Sequence, residues 1–308
     1  MKKTYFIIFI TISIVILFII KSRSVIHLEN AKPEYGKSEK NEHSQNSGKI
    51  LKIGRTPSSN AADLIKKYEP LRTYLKEKLG FKDVIIMIPR DYHGAINQLE
   101  HGETDIAWLT TASYAENSEK SNLIPMVRPV RNNSEYYRGM IITGRASGIK
   151  NLHELRGKKF LWVDRESASG FILPRALMSK NGLDPRTSFE ESTYTGTHDR
   201  VVLNVFLKNF DAGACHENAV NILEDKEKIE KISVISYTDP IINEPIVYKK
   251  GEIEKTAEAV KKALIELDPS NNEHKKILDG IEVQKFIPAS DKDYDGIRET
   301  IKNVRNLK

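Results

Sequence analysis

The feature that most narrows the fold is a change of periodicity that repeats along the chain after Lys49. Short apolar runs of strand length alternate with stretches whose apolar residues recur every three or four positions, the pattern of βα units around a largely parallel sheet. In the first unit ILKIG (50–54) is followed by Leu64, Tyr68, Leu71, Leu75 and Leu79 at helical spacing, closed by Gly80 where a helix C-terminus favours glycine. Pro70 falls inside that periodicity and predicts a kink or a division, because it has no amide proton and its ring strikes the preceding turn. DVIIMI (83–88), a helix from about Tyr92 to Glu100, TDIAWL (104–109) and a helix from about Ala112 to Ser118 continue the series. The extended segments IPMVR (124–128) and YYRGMIITG (136–144) complete this half.

A second series starts near Ile149. NLHELRG (151–157) reads as a short helix and turn, KKFLWVD (158–164) as a strand, and ASGFILPRALMSKNG (168–182) as a helix closed by Gly182. FEESTYT (189–195) is extended, THDRVVLNVFLK (197–208) helical and FDAGAC (210–215) a strand. The chain returns through KISVISYTD (231–239) and EPIVYKKG (244–251), then ends in helices at about 252–266, 271–279 and 291–306, packed back on the first half. The reading is two α/β lobes, one formed by 49–145 with 240–308 and the other by 146–239, with crossings near Thr143–Ile149 and Ser236–Glu244.

Before the folded part, Lys2-Lys3 precedes an almost unbroken apolar run from Tyr5 to Ile20, ending at Lys21-Ser22-Arg23. Residues 1–27 are therefore a signal peptide or an N-terminal membrane anchor; no small-x-small cleavage site follows Ile20, which favours an uncut anchor. Residues 28–48, rich in Glu, Lys, Asn and Ser, form a flexible tether. The bulk of the chain is thus expected outside the cytoplasm. The net charge of +6 arises from 48 basic and 42 acidic residues, interleaved as in EKIEK (227–231), a solvated surface rather than a nucleic-acid track. The single cysteine, Cys215, excludes an intramolecular disulfide and any multi-cysteine zinc motif.

Three segments carry candidate chemistry. In VDRESASGFILPRAL (163–177), a strand passes through a polar turn into an apolar helix, so Ser167, Ser169 and the first-turn amides can meet an anion at the positive end of the helix. Ser167 or Ser169 could equally be a plain helix cap. YTGTHDRVV (194–202) repeats the strand, turn and helix start; Thr197 or Asp199 fits an ordinary cap and His198 a surface position. Tyr92 stands at the mouth of a βα unit, where open α/β sheets bind ligands, or packs between helices.

YEPLRTYLKEKLG (68–80), DYHGAINQLEHGETDIAWL (91–109), YRGMIITGRASGI (137–149), LRGKKFLWVDRESASGFILPRALM (155–178) and TGTHDRVVLNVFLKNFDAGA (195–214) follow in the order and spacing of phosphonate-binding proteins of ABC importers. The chain resembles that phosphate, phosphite and phosphonate-binding family over nearly everything after the tether. The resemblance implies a type II periplasmic-binding-protein fold with the ligand in a cleft between the lobes, an ABC transporter permease as partner, and no cofactor. It implies that Ser167, Ala168 and Ser169 cradle the phosphonate oxygens, that His198 donates to the same group, and that Tyr92 and Tyr137 come from the first lobe. It further implies that Glu217 and Glu244 hold the ammonium of an aminoalkylphosphonate. Two departures stand out: Ser-Ala-Ser-Gly replaces the usual Ser-Thr-Ser-Gly, and Thr110-Thr111 follows Trp108-Leu109 where the family often has Gly-Pro or Gly-Asn. A third is glutamate in place of aspartate at Glu244, which lengthens the carboxylate arm.

Other readings of the same residues are open. An anchored protein of this fold could present its oxyanion to a sensor kinase instead of a transporter. A serine hydrolase would use Ser167 or Ser169 with His198 and Asp199, although Gly-x-Ser-x-Gly is absent. A metal site from Cys215, His216 and His198 meets the objection that neighbours on a strand face opposite ways. Gly139 to Gly144 imitates a phosphate loop in spacing, but Arg145-Ala146 stands where Lys-Ser/Thr is needed.

Overall fold

The computed structural model describes residues 46–251 and 253–306. The apolar N-terminal segment and residues 28–45 of the expected tether lie outside the described residues. Asn46, placed in the tether by sequence, is already part of the fold: its side-chain amide donates to the Leu79 carbonyl at 3.0 Å.

The first part of the chain runs β1 (Ile50–Arg55), α1 (Ala61–Leu79), β2 (Asp83–Met87), α2 (Tyr92–Glu100), β3 (Ile106–Trp108), α3 (Thr111–Asn117) and β4 (Leu123–Val130). The middle runs β5 (Tyr136–Gly144), β6 (Lys159–Trp162), α4 (Leu173–Lys180), β7 (Glu191–Tyr194), α5 (His198–Phe206), β8 (Ala212–His216), α6 (Lys226–Ile229) and β9 (Ile232–Ile242). The last part runs β10 (Ile246–Lys249), α7 (Glu254–Ile265), α8 (Asn272–Gly280), β11 (Lys285–Pro288) and α9 (Asp295–Arg305).

Two sheets result, in the strand orders β11-β4-β10-β3-β1-β2 and β7-β6-β8-β5-β9. Each has a parallel βα core, β2-β1-β3 in the first and β7-β6-β8 in the second, and each is extended by antiparallel strands. Strand β5 joins the second sheet, pairing Gly139–Thr143 with Ala212–His216. The first crossing between sheets therefore falls at 131–135, before β5, and not near Thr143–Ile149. Periodicity identifies YYRGMIITG as a strand, but long-range pairing decides which sheet it enters. The return crossing lies at 243–245, between β9 and β10.

Helix α1 buries Leu64, Tyr68, Leu71, Tyr74, Leu75 and Leu79 on one face, is capped by the Asn60 side chain, and stops at Gly80 with φ 72°. It runs unbroken through Pro70. Pro70 and Lys66, whose carbonyl loses its helical partner there, are both exposed, so water can serve that carbonyl. Strand β11 has no counterpart in the sequence reading. It is four residues long, ends in proline and sits at the sheet edge, where a missing amide proton is tolerated. The terminal helix also departs from expectation: Ile297, Ile301 and Val304 enter a buried cluster that holds Tyr114 of α3 together with Phe171, Leu173 and Met178 of the second half. Helix α9 thus packs on both halves of the chain rather than on the first alone.

Candidate functional site

Strands β7, β6 and β8 are neighbours and parallel, so the turns leaving their C-terminal ends share one edge of the second sheet. From β6 comes the turn through Asp164 to Ser169, from β7 the turn to His198, and from β8 the turn that starts at His216.

Ser167 is extended and its Oγ accepts the Gly170 N–H at 3.0 Å. Residues Ala168–Ile172 then wind one wide π turn before α4 begins. Ser167, Ala168 and Ser169 are all buried. The amides of Ala168 and Ser169, first in the turn, have no acceptor within it. Two glycines allow this turn to sit so deep. A Cβ on Gly170 would stand 2.4 Å from Val163 Cγ2, and one on Gly139 would stand 2.7 Å from the Ser169 carbonyl oxygen.

Gly139 also links this turn to the next. It pairs across the sheet with His216, and the His216 N–H donates to His198 Nδ1 at 3.1 Å. A chain of contacts therefore runs Ser169, Gly139, His216, His198, and the two polar turns lie side by side. Thr197 caps α5, and His198 is buried at its first position. Because Nδ1 accepts an amide proton, the neutral ring carries its own proton on Nε2. Burial, then His216 and Arg55, hold the His198 imidazole well below its ordinary range, so it is an uncharged donor. His216 is arranged alike: its Nδ1 accepts the Asn218 N–H at 3.2 Å, and burial followed by Arg131 pushes its pKa down to about 4. The two rings meet edge to face with centroids 4.5 Å apart. Ser167 and Thr197 are helix caps, and both also stand at this shared edge.

Tyr92 is fully buried among Met140, Leu161 and Val163, so it packs into the second half. Its hydroxyl lies beside Ser167 and completes no hydrogen bond among the described residues. Tyr137 stands beside both Ser169 and Thr111, and burial raises its phenol pKa. It belongs to β5 and hence to the second sheet, which corrects its expected origin in the first lobe.

The first sheet meets this edge with charged groups that sequence reasoning missed. Arg55 ends β1 in register with Trp108 of β3. Its Nε donates to Tyr68 Oη at 2.7 Å, and its guanidinium carbon lies 5.1 Å from the Trp108 ring centroid. Arg131 approaches the same ring at 5.8 Å and grips both oxygens of Glu244, at 3.0 and 2.7 Å. Burial alone would raise the Glu244 pKa; Arg131 and Arg55 outweigh it and hold the carboxylate below its ordinary range. Glu244 was expected to hold a ligand ammonium, yet both its oxygens are committed to Arg131. Glu217, given the same role, donates its backbone N–H to the Arg138 carbonyl at 3.0 Å, and its carboxylate makes no hydrogen bond or ion pair among the described residues. Arg55 could have been found from its place at a parallel strand end. Arg131 carries no local signal.

Glu166 joins the two halves. Its Oε1 meets His93 Nδ1 at 2.9 Å, its Oε2 accepts from Ser113 Oγ at 3.0 Å, and its carbonyl accepts from Thr110 Oγ1 at 3.0 Å. The His198 N–H adds a bond to the Ser58 carbonyl at 3.3 Å. Ser113 and Thr110 belong to the start of α3, where the departing Thr110-Thr111 pair now has a use: Thr110 caps the helix and reaches Glu166, and Thr111 Oγ1 donates to the Ile242 carbonyl at 2.8 Å. Among the described residues no cluster of metal-ligating side chains occurs.

The family model described as ABC transporter, phosphonate, periplasmic substrate-binding protein matches residues 53–294. The phosphonates-binding periplasmic protein of Escherichia coli is 26% identical over 226 residues, which cover 71% of this chain and 66% of that one. A protein of Prochlorococcus marinus named as an ABC transporter phosphite binding protein is 22% identical over 275 residues, 84% of this chain and 91% of its own. A crystal structure of that organism's protein in complex with methylphosphonate superposes with a TM-score of 0.76 over 84% of this chain and 99% of that one, at 20% identity. The binding protein component of an ABC phosphonate transporter from Pseudomonas aeruginosa gives 0.77 over 83% and 86%, at 21% identity. These likenesses establish a two-lobed binding-protein fold of type II.

Proposed function

This chain belongs to the family of phosphonate-binding periplasmic proteins of ABC transporters, and on that premise we propose that it captures a small phosphonate, phosphite or phosphate anion between its lobes and delivers it to an importer permease. The family is one of substrate-binding transport proteins, and its members work outside the cytoplasm. In the proposed complex the amides of Ala168 and Ser169 and the hydroxyls of Ser167 and Ser169 surround the oxyanion. His198 adds its Nε2–H, while Tyr92 and Tyr137 close the other side.

The observation that carries this reading is the bond from the His216 amide to His198 Nδ1. It turns the opposite nitrogen into a fixed, uncharged donor beside the Ser169 turn. Hydrogen bonds to a charged acceptor contribute roughly 1.5–3 kcal/mol each. Micromolar capture needs about −8 kcal/mol, within reach of four or five such bonds after the entropy of association is subtracted. The same bond argues against a hydrolase, because an imidazole oriented by a backbone amide has no carboxylate behind it to support it as a base. The contacts of Glu166 would form on closure, and the closed state is the form offered to the permease. The apolar segment from Tyr5 to Ile20 would keep the lobes at the outer face of the membrane, uncut.

A thermal-shift screen tests the reading. Phosphate, phosphite or methylphosphonate should raise the melting temperature, because a ligand that binds only the folded state stabilises it. Ser169→Ala and His198→Ala should each weaken that effect while remaining folded; full shifts in both variants would remove the site assignment.

A further inference from the structure

Between the Trp108 ring and the second-sheet edge stand two arginines and one carboxylate. Arg131 offers two nitrogens to Glu244 and its Nε to the Glu282 carbonyl at 3.1 Å, so each of its three guanidinium nitrogens makes a bond. The Glu282 carboxylate is itself paired with Lys67. Arg55 is held by Tyr68, the Thr56 carbonyl and Ser58, all neutral, and forms no ion pair among the described residues. The sum over Arg55, Arg131 and Glu244 is one positive charge, with His198 and His216 neutral. Asp164 turns its Oδ1 to the Glu166 N–H.

We propose that Arg131 sets the ligand class: by pairing with both oxygens of Glu244 it offsets that carboxylate's charge and leaves the Arg55 charge uncancelled, so the cleft takes oxyanions that carry no ammonium group. This rests on the functional reading above and narrows it to phosphate, phosphite and phosphonates with neutral tails. An aminoalkylphosphonate reaching the Trp108 ring would bring its ammonium against two arginines, where the one carboxylate, Glu244, is already paired; the Glu217 carboxylate, unpaired among the described residues, lies past the end of β8, outside this group of charges. Like charges at such distances in a partly desolvated site repel strongly.

Arg131 and Glu244 also lie on the two crossing segments, where Asn243 Nδ2 donates to the Pro129 carbonyl at 2.9 Å. A mere staple between those segments would weaken every ligand alike when cut. Selectivity separates the two roles.

Titration calorimetry on the full chain with methylphosphonate, inorganic phosphate and 2-aminoethylphosphonate tests this. The wild type should bind one of the first two at least about tenfold more tightly than 2-aminoethylphosphonate. Arg131→Gln frees Glu244, and the gap should narrow by about tenfold or more through a gain for 2-aminoethylphosphonate; Arg131→Lys, which keeps the charge, should retain the wild-type order. Equal affinities in the wild type, or an unchanged ratio in Arg131→Gln, would overturn the proposal. Should Arg131→Gln fail to fold, the wild-type ratio alone decides. No heat from any of the three compounds overturns the functional reading instead.

Discussion

On the second-sheet wall of the cleft, Ser167, Ser169 and His198 are uncharged and are held by backbone groups of adjacent turns. On the first-sheet wall, Arg55, Arg131 and Glu244 are charged: Arg131 and Glu244 hold one another, and both arginines lie against the Trp108 ring. The difference separates binding from stability. A neutral donor fixed by the backbone can be removed with little damage to the fold, and its loss is felt by the ligand. A buried ion pair is coupled, and removing one partner strands the other charge in a poor solvent.

The largest effect should come from the charged wall. Arg131→Ala strands Glu244, whose side chain is 14% exposed, and should cost roughly 3 kcal/mol of folding free energy, the low end for a broken buried pair. Urea unfolding measures it; a loss below about 0.5 kcal/mol would show that the pair is a surface ornament and erase the contrast. His198→Ala should do the reverse. Affinity for methylphosphonate should fall about ten- to a hundredfold, while stability drops only about 1 kcal/mol for the His216 amide left without an acceptor. A variant that unfolds without losing affinity would invert the comparison.

Acid should act on the second-sheet wall through its two histidines. His216 takes a proton only near pH 4 in the folded chain and His198 well below its usual range, whereas the unfolded chain takes both up near pH 6.5. Between those limits the unfolded state binds more protons, so stability is full above about pH 6.5 and is lost as pH falls toward 4, by up to about 1.4 kcal/mol per pH unit per histidine. His216→Gln should flatten that slope; an identical slope in the variant would rule out the assignment. The smallest effect belongs to the contacts between the halves. Glu166→Gln weakens the pairing with His93, itself more than half exposed, and should lower ligand affinity only a few-fold. Titration of phosphate into both proteins would reveal it, and a loss of a hundredfold would mean that Glu166 touches the ligand.

The two walls also differ in how far the sequence discloses them. Polar turns between a strand and a helix are local, so SASG and GTHD mark the neutral wall directly, and the caps Ser167 and Thr197 form where their spacing expects. Arg131 and Glu244 lie 113 residues apart along the chain, and nothing near Arg131 announces its partner. The same reason explains the displaced crossing. β5 is legible as a strand, but its place beside β8 depends on a pairing between Gly139 and His216 that no local pattern encodes. β11 failed for a weaker cause, being too short and too rich in exposed positions to show a period.

The claim beneath both the function and the comparison is that the first-turn amides at Ala168 and Ser169 and the Nε2–H of His198 converge on one oxyanion. A crystal structure of the chain grown with methylphosphonate tests it most directly. The phosphonate oxygens should lie about 2.7–3.1 Å from those amides and from His198 Nε2, with the methyl group turned toward Trp108. A phosphonate bound elsewhere, or one bound there with the His198 ring turned so that Nε2 faces the His216 amide, would contradict it.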